Sequence, residues 1–203
     1  MIEEADKVTP NVGPYAYLKA VIDFALALVG LIVFGPLMLI VALAIKLDDP
    51  GPAIYRQTRL GALGKLFTMY KFRTMKLGTP VLSTADMQKQ QVIPFTRLGP
   101  FLRKSSLDEL PQLLNIIKGQ MSFIGPRPAL PSQHDVIALR EEMSAMHVRP
   151  GITGLAQAMG RDELDSHTKV SYDAQYCRKM SLGFDIKVFF MTVAAVLSAR
   201  GNK

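Results

Sequence analysis

Residues 28–43 read LVGLIVFGPLMLIVAL, the most apolar stretch of the chain, with Gly35-Pro36 at its centre. A segment like this either crosses a membrane or enters it and returns on the same side. Its uncharged core, Phe24–Ile45, is about long enough to span a bilayer if straight. Pro36 removes the backbone donor that would serve the carbonyl of Ile32, and Gly35 adds freedom to bend. Proline alone does not exclude a crossing helix. Lys19 and Lys46 flank the run on both sides, so the distribution of positive charge favours neither orientation.

Working outward, Leu18–Ile45 reads as helical, and Asp49-Pro50-Gly51-Pro52 stops it. Glu3, Glu4 and Asp6 stand where a secretory signal would be basic. Lys46-Leu47-Asp48-Asp49 stand where small cleavage-site residues would follow, so a permanent anchor is expected. Residues 1–17 read as a polar lead-in, 18–48 as the membrane segment and 49–203 as one further domain.

The 203 residues hold 24 Lys+Arg against 17 Asp+Glu, a formal charge of +7. Such an excess points to an anionic partner. Trp is absent, so stacking platforms for single-stranded nucleic acid are poorly supplied, and no nucleic-acid partner is expected. Cys177 is the only cysteine, which excludes an internal disulfide. His134, His147 and His167 lack ligand spacing and read as ordinary surface or core residues.

Ala53–Gln57 and Leu66–Phe72 read as two strands, joined by RLGALGK at 59–65. That connection fails as a phosphate-binding P-loop, with Arg59 in place of the first Gly and Leu66 in place of Ser or Thr. Residues 76–94 read as a surface loop. Leu107–Lys118, Gln133–His147 and Lys169–Met180 are helix candidates. Phe184–Ala199 is an apolar helix that fits either a membrane interface or a buried core. The fold class expected is α+β and mostly helical, with a short β-hairpin.

Chemistry concentrates around SSLDELPQ, residues 105–112. Ser106 and Glu109 have capping-box spacing, which explains the acidic pair Asp108–Glu109 without any function. A second DEL, at 162–164, lies in a polar stretch and reads as a solvated face. The first copy differs in its neighbours: Arg97, Arg103, Lys104 and Lys118, then Arg127 in GPRP and Arg149 in RPGITG. Proline fixes the backbone beside the last two arginines, and guanidinium groups match phosphate oxygens. Glycine-rich turns let backbone N–H groups approach an anion. A carboxylate pair among cations can also hold a divalent metal bridging to phosphate. Together these residues suit phosphoryl transfer.

The ordered motifs YKFRTM (70–75), LRKSSLDELPQLLNIIKGQMSFIGPRP (102–128) and RPGITGLAQ (149–157) resemble the bacterial monotopic phosphoglycosyl transferases, over about Leu18 to Ser198. The resemblance implies transfer of a sugar-1-phosphate from a UDP-sugar to undecaprenyl phosphate, with release of UMP. It implies a covalent aspartyl intermediate, Mg2+, and a site on the cytoplasmic face of the bacterial inner membrane, among membrane lipids. By motif position Asp108 is the nucleophile and metal ligand, and Glu109 its acidic partner. Lys71, Arg73, Arg103, Arg127, Arg149 and Gln157 fall at substrate-binding positions. A re-entrant helix-break-helix with its hinge at Gly35 and Pro36 is implied too. The sequence departs from the family pattern at Leu155, usually Trp, and at Gly35, commonly Ser. The competing class is a basic membrane-surface adaptor, in which Asp108–Glu109 merely caps a helix.

Overall fold

A computed structural model describes residues 13–79, 95–160 and 164–198. The second DEL copy, apart from Leu164, and most of the 76–94 loop lie outside these residues. Helix α1 runs from Pro14 to Asp48. Proline suits its first turn, where the N–H would have no partner. The basic Lys46 sits in its last turn, where the helix dipole favours it. Asp49 is extended and ends the helix, its N–H bonding the Ile45 carbonyl at 3.0 Å.

The helix passes through Gly35-Pro36 without interruption, which corrects the expected helix-break-helix. One proline costs one hydrogen bond, and the apolar turns on either side keep theirs. The buried residues of α1 are Lys19, Asp23, Ala27, Val41 and Ile45, a single stripe at four-residue steps within each half. The other faces expose Phe24, Ile32, Leu39, Ile40 and Leu43.

That stripe touches three parts of the core. Tyr15 and Ala16 pack on the cluster of Tyr176, Met180 and Val188. Ala27 and Leu31 join Phe67, Met69, Leu113 and Met121. Val41, Ala42 and Ile45 join Ala53, Phe72 and Leu102. One domain therefore contacts both ends of a helix about 50 Å long.

Strand β1 (Ile54–Leu60) pairs antiparallel with β2 (Leu66–Phe72), from Ile54 opposite Phe72 to Leu60 opposite Leu66. The hairpin is as expected, and β1 extends three residues further than its alternation indicated. The turn between the strands is a 3₁₀ turn over Ala62–Gly64, with Leu63 at φ 55°. Helix α2 spans Gly99–Lys104, and Ser106 then reverses the chain at φ 57°. The helix expected over Leu107–Lys118 is split into a 3₁₀ turn, Leu107–Gln112, and α3, Leu113–Ile117. Pro111 inside the turn supplies no N–H, which favours the short form.

Strand β3 (Ser122–Ile124) pairs in parallel with β4 (Gly151–Thr153). Between them lies α4 (His134–Glu142), shorter than expected because the chain turns at Ser144, φ 54°. After β4 come α5 (Leu155–Met159), α6 (Ser166–Lys179) and α7 (Leu182–Leu197). The Asp165 carboxylate accepts the Thr168 N–H at the start of α6, and Ser181 accepts that of Phe184 at the start of α7. On α7, Ile186, Phe189, Phe190 and Leu197 are exposed, so it is not a buried core helix.

A buried ion pair joins α4 to α6. Arg140 donates to Asp173 through Nε at 3.0 Å and Nη2 at 2.6 Å. The same Nη2 donates to the Arg127 carbonyl at 2.9 Å and so holds the GPRP turn. Arg140→Ala strands a buried carboxylate and is expected to cost about 3 kcal/mol or more of stability. Denaturant unfolding against wild type measures it, and a loss below about 1 kcal/mol contradicts this account.

Candidate active site

Asp108 and Glu109 lie on the 3₁₀ turn that follows Ser106. The capping box is not formed: no side chain caps that turn, and Ser106 occupies the left-handed region. Glu109 reaches across to β2 instead, where Lys71 Nζ donates to Oε1 at 2.6 Å. Arg127 Nη1 lies 3.7 Å from the same oxygen. The structure thus joins Glu109 to Arg127, one of the cations expected around the acidic pair, and to Lys71, expected at a substrate-binding position.

Asn115 sets the distance between the 3₁₀ turn and β2. It is fully buried, accepts the Tyr70 N–H at 3.0 Å and donates to the Thr68 carbonyl at 2.7 Å. These bonds stitch α3 to the strand that carries Lys71. A mid-motif asparagine gave no sequence signal for this, because its partners are backbone groups far along the chain.

Asp108 is 7% exposed. Burial pushes its carboxyl upward from the usual range, and the neighbouring Lys71 charge pulls it back. Glu109 raises it further, while Arg103 and Arg127 lower it. The Asp108 carboxylate forms no hydrogen bond or ion pair among the described residues. Burial also lowers the Lys71 ammonium, with Glu109 opposing the shift. Arg103 is held by its Nε bond to Thr74 Oγ1 at 3.1 Å, and its guanidinium lies 5.0 Å from the Phe95 ring centre.

The GPRP turn meets RPGITG through main-chain bonds. Ser122 N–H donates to the Pro150 carbonyl, Gly151 N–H to that of Pro126, and Gly125 N–H to that of Thr153. A Cβ on Gly125 would lie 2.4 Å from the Arg149 carbonyl oxygen, and one on Gly151 would lie 2.2 Å from the Gly125 nitrogen. These glycines exist for chain-to-chain packing, which corrects their reading as anion-binding turns.

Three expected substrate residues have other partners. Arg73 is buried and donates to both the carboxylate and the carbonyl of Asp49, so it locks the end of α1 to β2 rather than joining the cluster. Arg149 Nη2 lies 3.8 Å from Asp23 Oδ2 on α1. Gln157 donates to the Ile152 carbonyl at 2.9 Å, and its Oε1 is buried without a partner among the described residues.

A second polar network escaped the sequence reading. Asp185 of α7 accepts from Lys19 Nζ at 2.6 Å, Tyr15 OH at 2.6 Å and Tyr176 OH at 2.7 Å. Charges so near an apolar run carry no periodic mark of the element they will face.

Among the described residues no three His, Cys, Asp or Glu side chains come together. Lys71 already engages Glu109, which leaves Asp108 as the main carboxylate donor. Magnesium commonly takes one or two carboxylates plus substrate phosphate oxygens. The residues therefore fit a metal shared with a phosphate, not an all-protein site.

Similarity to known proteins bears on this arrangement. A protein-family model described as bacterial sugar transferase matches residues 14–199. The UDP-glucose:undecaprenyl-phosphate glucose-1-phosphate transferase of Escherichia coli (strain K12) is 43% identical over 194 residues, covering 91% of this chain and 41% of that protein. The undecaprenyl-phosphate galactose phosphotransferase of Salmonella typhimurium is 36% identical over 199 residues, again covering 91% and 41%. The exopolysaccharide production protein ExoY of Rhizobium meliloti is 38% identical over 216 residues, covering 98% of this chain and 93% of ExoY. The chain spans about two fifths of the first two relatives. A match over nearly all of its length, embracing the acidic turn, the hairpin and the apolar helix, has one reading: the chain belongs to the bacterial sugar transferase family.

Proposed function

We propose that the chain transfers a sugar-1-phosphate from a UDP-sugar to undecaprenyl phosphate and releases UMP, the first membrane step in building a bacterial glycoconjugate. One observation carries this reading: Asp108 is a buried carboxylate among Lys71, Arg103 and Arg127, without a hydrogen-bond partner of its own among the described residues. The names of the E. coli and Salmonella relatives supply the substrate class.

The Asp108 carboxylate attacks the phosphorus next to the sugar. The bridging P–O bond breaks, and its electron pair leaves with UMP. A phosphate oxygen of undecaprenyl phosphate then attacks the same phosphorus and frees Asp108. Lys71, Arg103 and Arg127 offset the repulsion between carboxylate and phosphate. Glu109 holds Lys71 in place. Magnesium, held by Asp108 and substrate oxygens, would supply further charge neutralisation.

We also read both flanks of α1 as lying on one side of the membrane, the cytoplasmic side where UDP-sugars occur. Support comes from the stripe along α1. Tyr15 and Ile45, at opposite ends, pack on the same domain. A straight crossing would need that domain on both sides of the bilayer. In this reading Gly35-Pro36 bends the helix without ending it. The exposed apolar faces of α1 and α7 rest among lipids.

Asp108→Asn should lower UMP release roughly 10⁴-fold or more. A folded variant with near-normal turnover sinks the mechanism, and no UMP from any UDP-sugar with wild type favours the adaptor reading. The raised Asp108 carboxyl sets the pH dependence. It must be ionised to attack, so the first turnover falls as pH drops through a value above the ordinary carboxylate range. Lys71→Met removes the cation that most opposes this rise, so its acid limb moves to higher pH. An unmoved limb in the pH–rate profile contradicts the assignment.

Topology has its own test. Cys177 is buried and burial pushes its thiol up to about 12, so it gives little background. In intact cells Ala5→Cys is expected to resist an impermeant thiol reagent until the membrane is opened. Labelling from outside refutes the one-sided arrangement.

A further inference from the structure

Arg59 lies near the end of β1, in the connection that fails as a P-loop. Its Nε and Nη2 both donate to Gln57 Oε1, at 3.0 and 2.6 Å. Its Nη1 donates to the carbonyl of Pro128, the residue after Arg127, at 3.1 Å. The neighbouring Leu60 N–H bonds the Ala129 carbonyl at 3.0 Å and pins the strand end to the same segment. This guanidinium is therefore rigidly held beside GPRP.

What holds it is neutral. Arg59 makes no ion pair with a carboxylate among the described residues, whereas Lys71 has Glu109, Arg73 has Asp49 and Arg140 has Asp173. Burial lowers Arg59 to about 10, and the nearby Arg127 charge adds to the effect. A guanidinium held only by an amide and a carbonyl, with the Arg127 charge near it, is costly until an anion arrives. A guanidinium has five N–H donors, and three of these are engaged. Two remain for a ligand.

The order of charges gives that ligand its place. Asp108 feels Lys71, Glu109, Arg103 and Arg127, but Arg59 is not among the groups that act on it. Arg127 acts on both Asp108 and Arg59. Its Nη1 lies 3.7 Å from Glu109, the neighbour of Asp108, while the carbonyl of the next residue, Pro128, accepts from Arg59 at 3.1 Å, so the GPRP turn links the two. A phosphate that Asp108 attacks lies on the near side of Arg127. A second phosphate, one bridging oxygen further on, falls towards Arg59. Lys71, Arg103, Arg127 and Arg59 outnumber Asp108 and Glu109 by two, which suits a diphosphate.

We infer that Arg59 binds the departing phosphate, the one attached to the nucleoside, and is a further residue of the catalytic site. This rests on the proposed reaction and adds its leaving-group contact. As the Asp108 oxygen bonds to phosphorus and the bridging P–O bond breaks, the electron pair stays on the nucleoside monophosphate. That phosphate gains one negative charge. Arg59 meets a charge that grows in the transition state, so its contribution is to rate as well as binding.

The test uses the full chain in lipid nanodiscs, as wild type, Arg59→Ala and Arg59→Lys. The first half-reaction is UMP release without acceptor. The second is discharge of preloaded, UMP-free phosphosugar–enzyme to undecaprenyl phosphate. UMP affinity is measured by calorimetry. Arg59→Ala is expected to slow the first half roughly 10²-fold and to weaken UMP about tenfold or more, with the second half near wild type. Arg59→Lys should recover part of each loss. Unchanged UMP release and affinity overturn the inference. So does equal slowing of both halves with a lower melting temperature, the mark of a structural role. A wild type that releases no UMP from any UDP-sugar overturns the reaction instead. UMP affinity then still decides for or against Arg59.

Discussion

Two three-residue strands meet where no side chain fits. At Gly125, Gly151 and Gly154 an added Cβ would lie within 2.4 Å of backbone on the facing segment. The close approach allows the parallel bonds that clamp GPRP against RPGITG. Arg127 leaves that clamp towards Glu109, and Arg149 leaves it towards Asp23 on α1. Arg140 then bonds the Arg127 carbonyl from below while burying its charge against Asp173. The placement of the arginines therefore follows from a main-chain contact, with side-chain ion pairs as reinforcement. A bulkier residue at these glycines would move the cations before it touched the carboxylates.

Charge distribution within the acidic turn follows a similar logic. A carboxylate buried with one lysine would ordinarily pair with it and be held there. Here Glu109 takes Lys71 in a 2.6 Å contact and opposes the downward push of burial on its ammonium, and Asp108 makes no direct bond to it. Adjacent residues on a 3₁₀ turn accomplish this more readily than residues a full α-turn apart. Pro111, which keeps the turn short, belongs to the chemistry as much as to the fold. Asn115 sets the separation, since its two backbone bonds fix β2 relative to the turn.

Local patterns in the sequence were read correctly where the determining forces are local. The hairpin follows from alternation and a glycine-containing connection, and α7 from helical spacing. Proline and glycine marked the turns at 49–52 and 125–128. Partner choice was a different matter. Ser106 and Glu109 have capping-box spacing, yet Lys71, 38 residues away, outcompetes the cap. Arg73 shares a motif with Lys71, but the end of α1 lies within its reach, so Asp49 takes it. The pairing of β3 with β4 joins segments separated by α4, and neither is long enough to show a period. Long-range geometry settled each of these, and no window of sequence contains it.

The apolar helix combines both kinds of information. Its composition is that of a candidate membrane segment, and its length of 35 residues exceeds what a bilayer core requires. Composition averages over all faces of a helix, however, and α1 has two unlike ones. The narrow stripe holds Lys19 and Asp23, both buried, with Lys19 bound to Asp185 and Asp23 facing Arg149. Such charges would be expensive in hydrocarbon without partners, and the domain provides them. The remaining faces are almost wholly apolar and exposed. The helix is thus a structural member of the domain along one stripe and an apolar exposed surface elsewhere. Detaching the N-terminal half of α1 from the domain would strip Asp185 of Lys19 and Tyr15. The same ion pairs complete the core along one stripe of α1 and leave its apolar surface on the other faces.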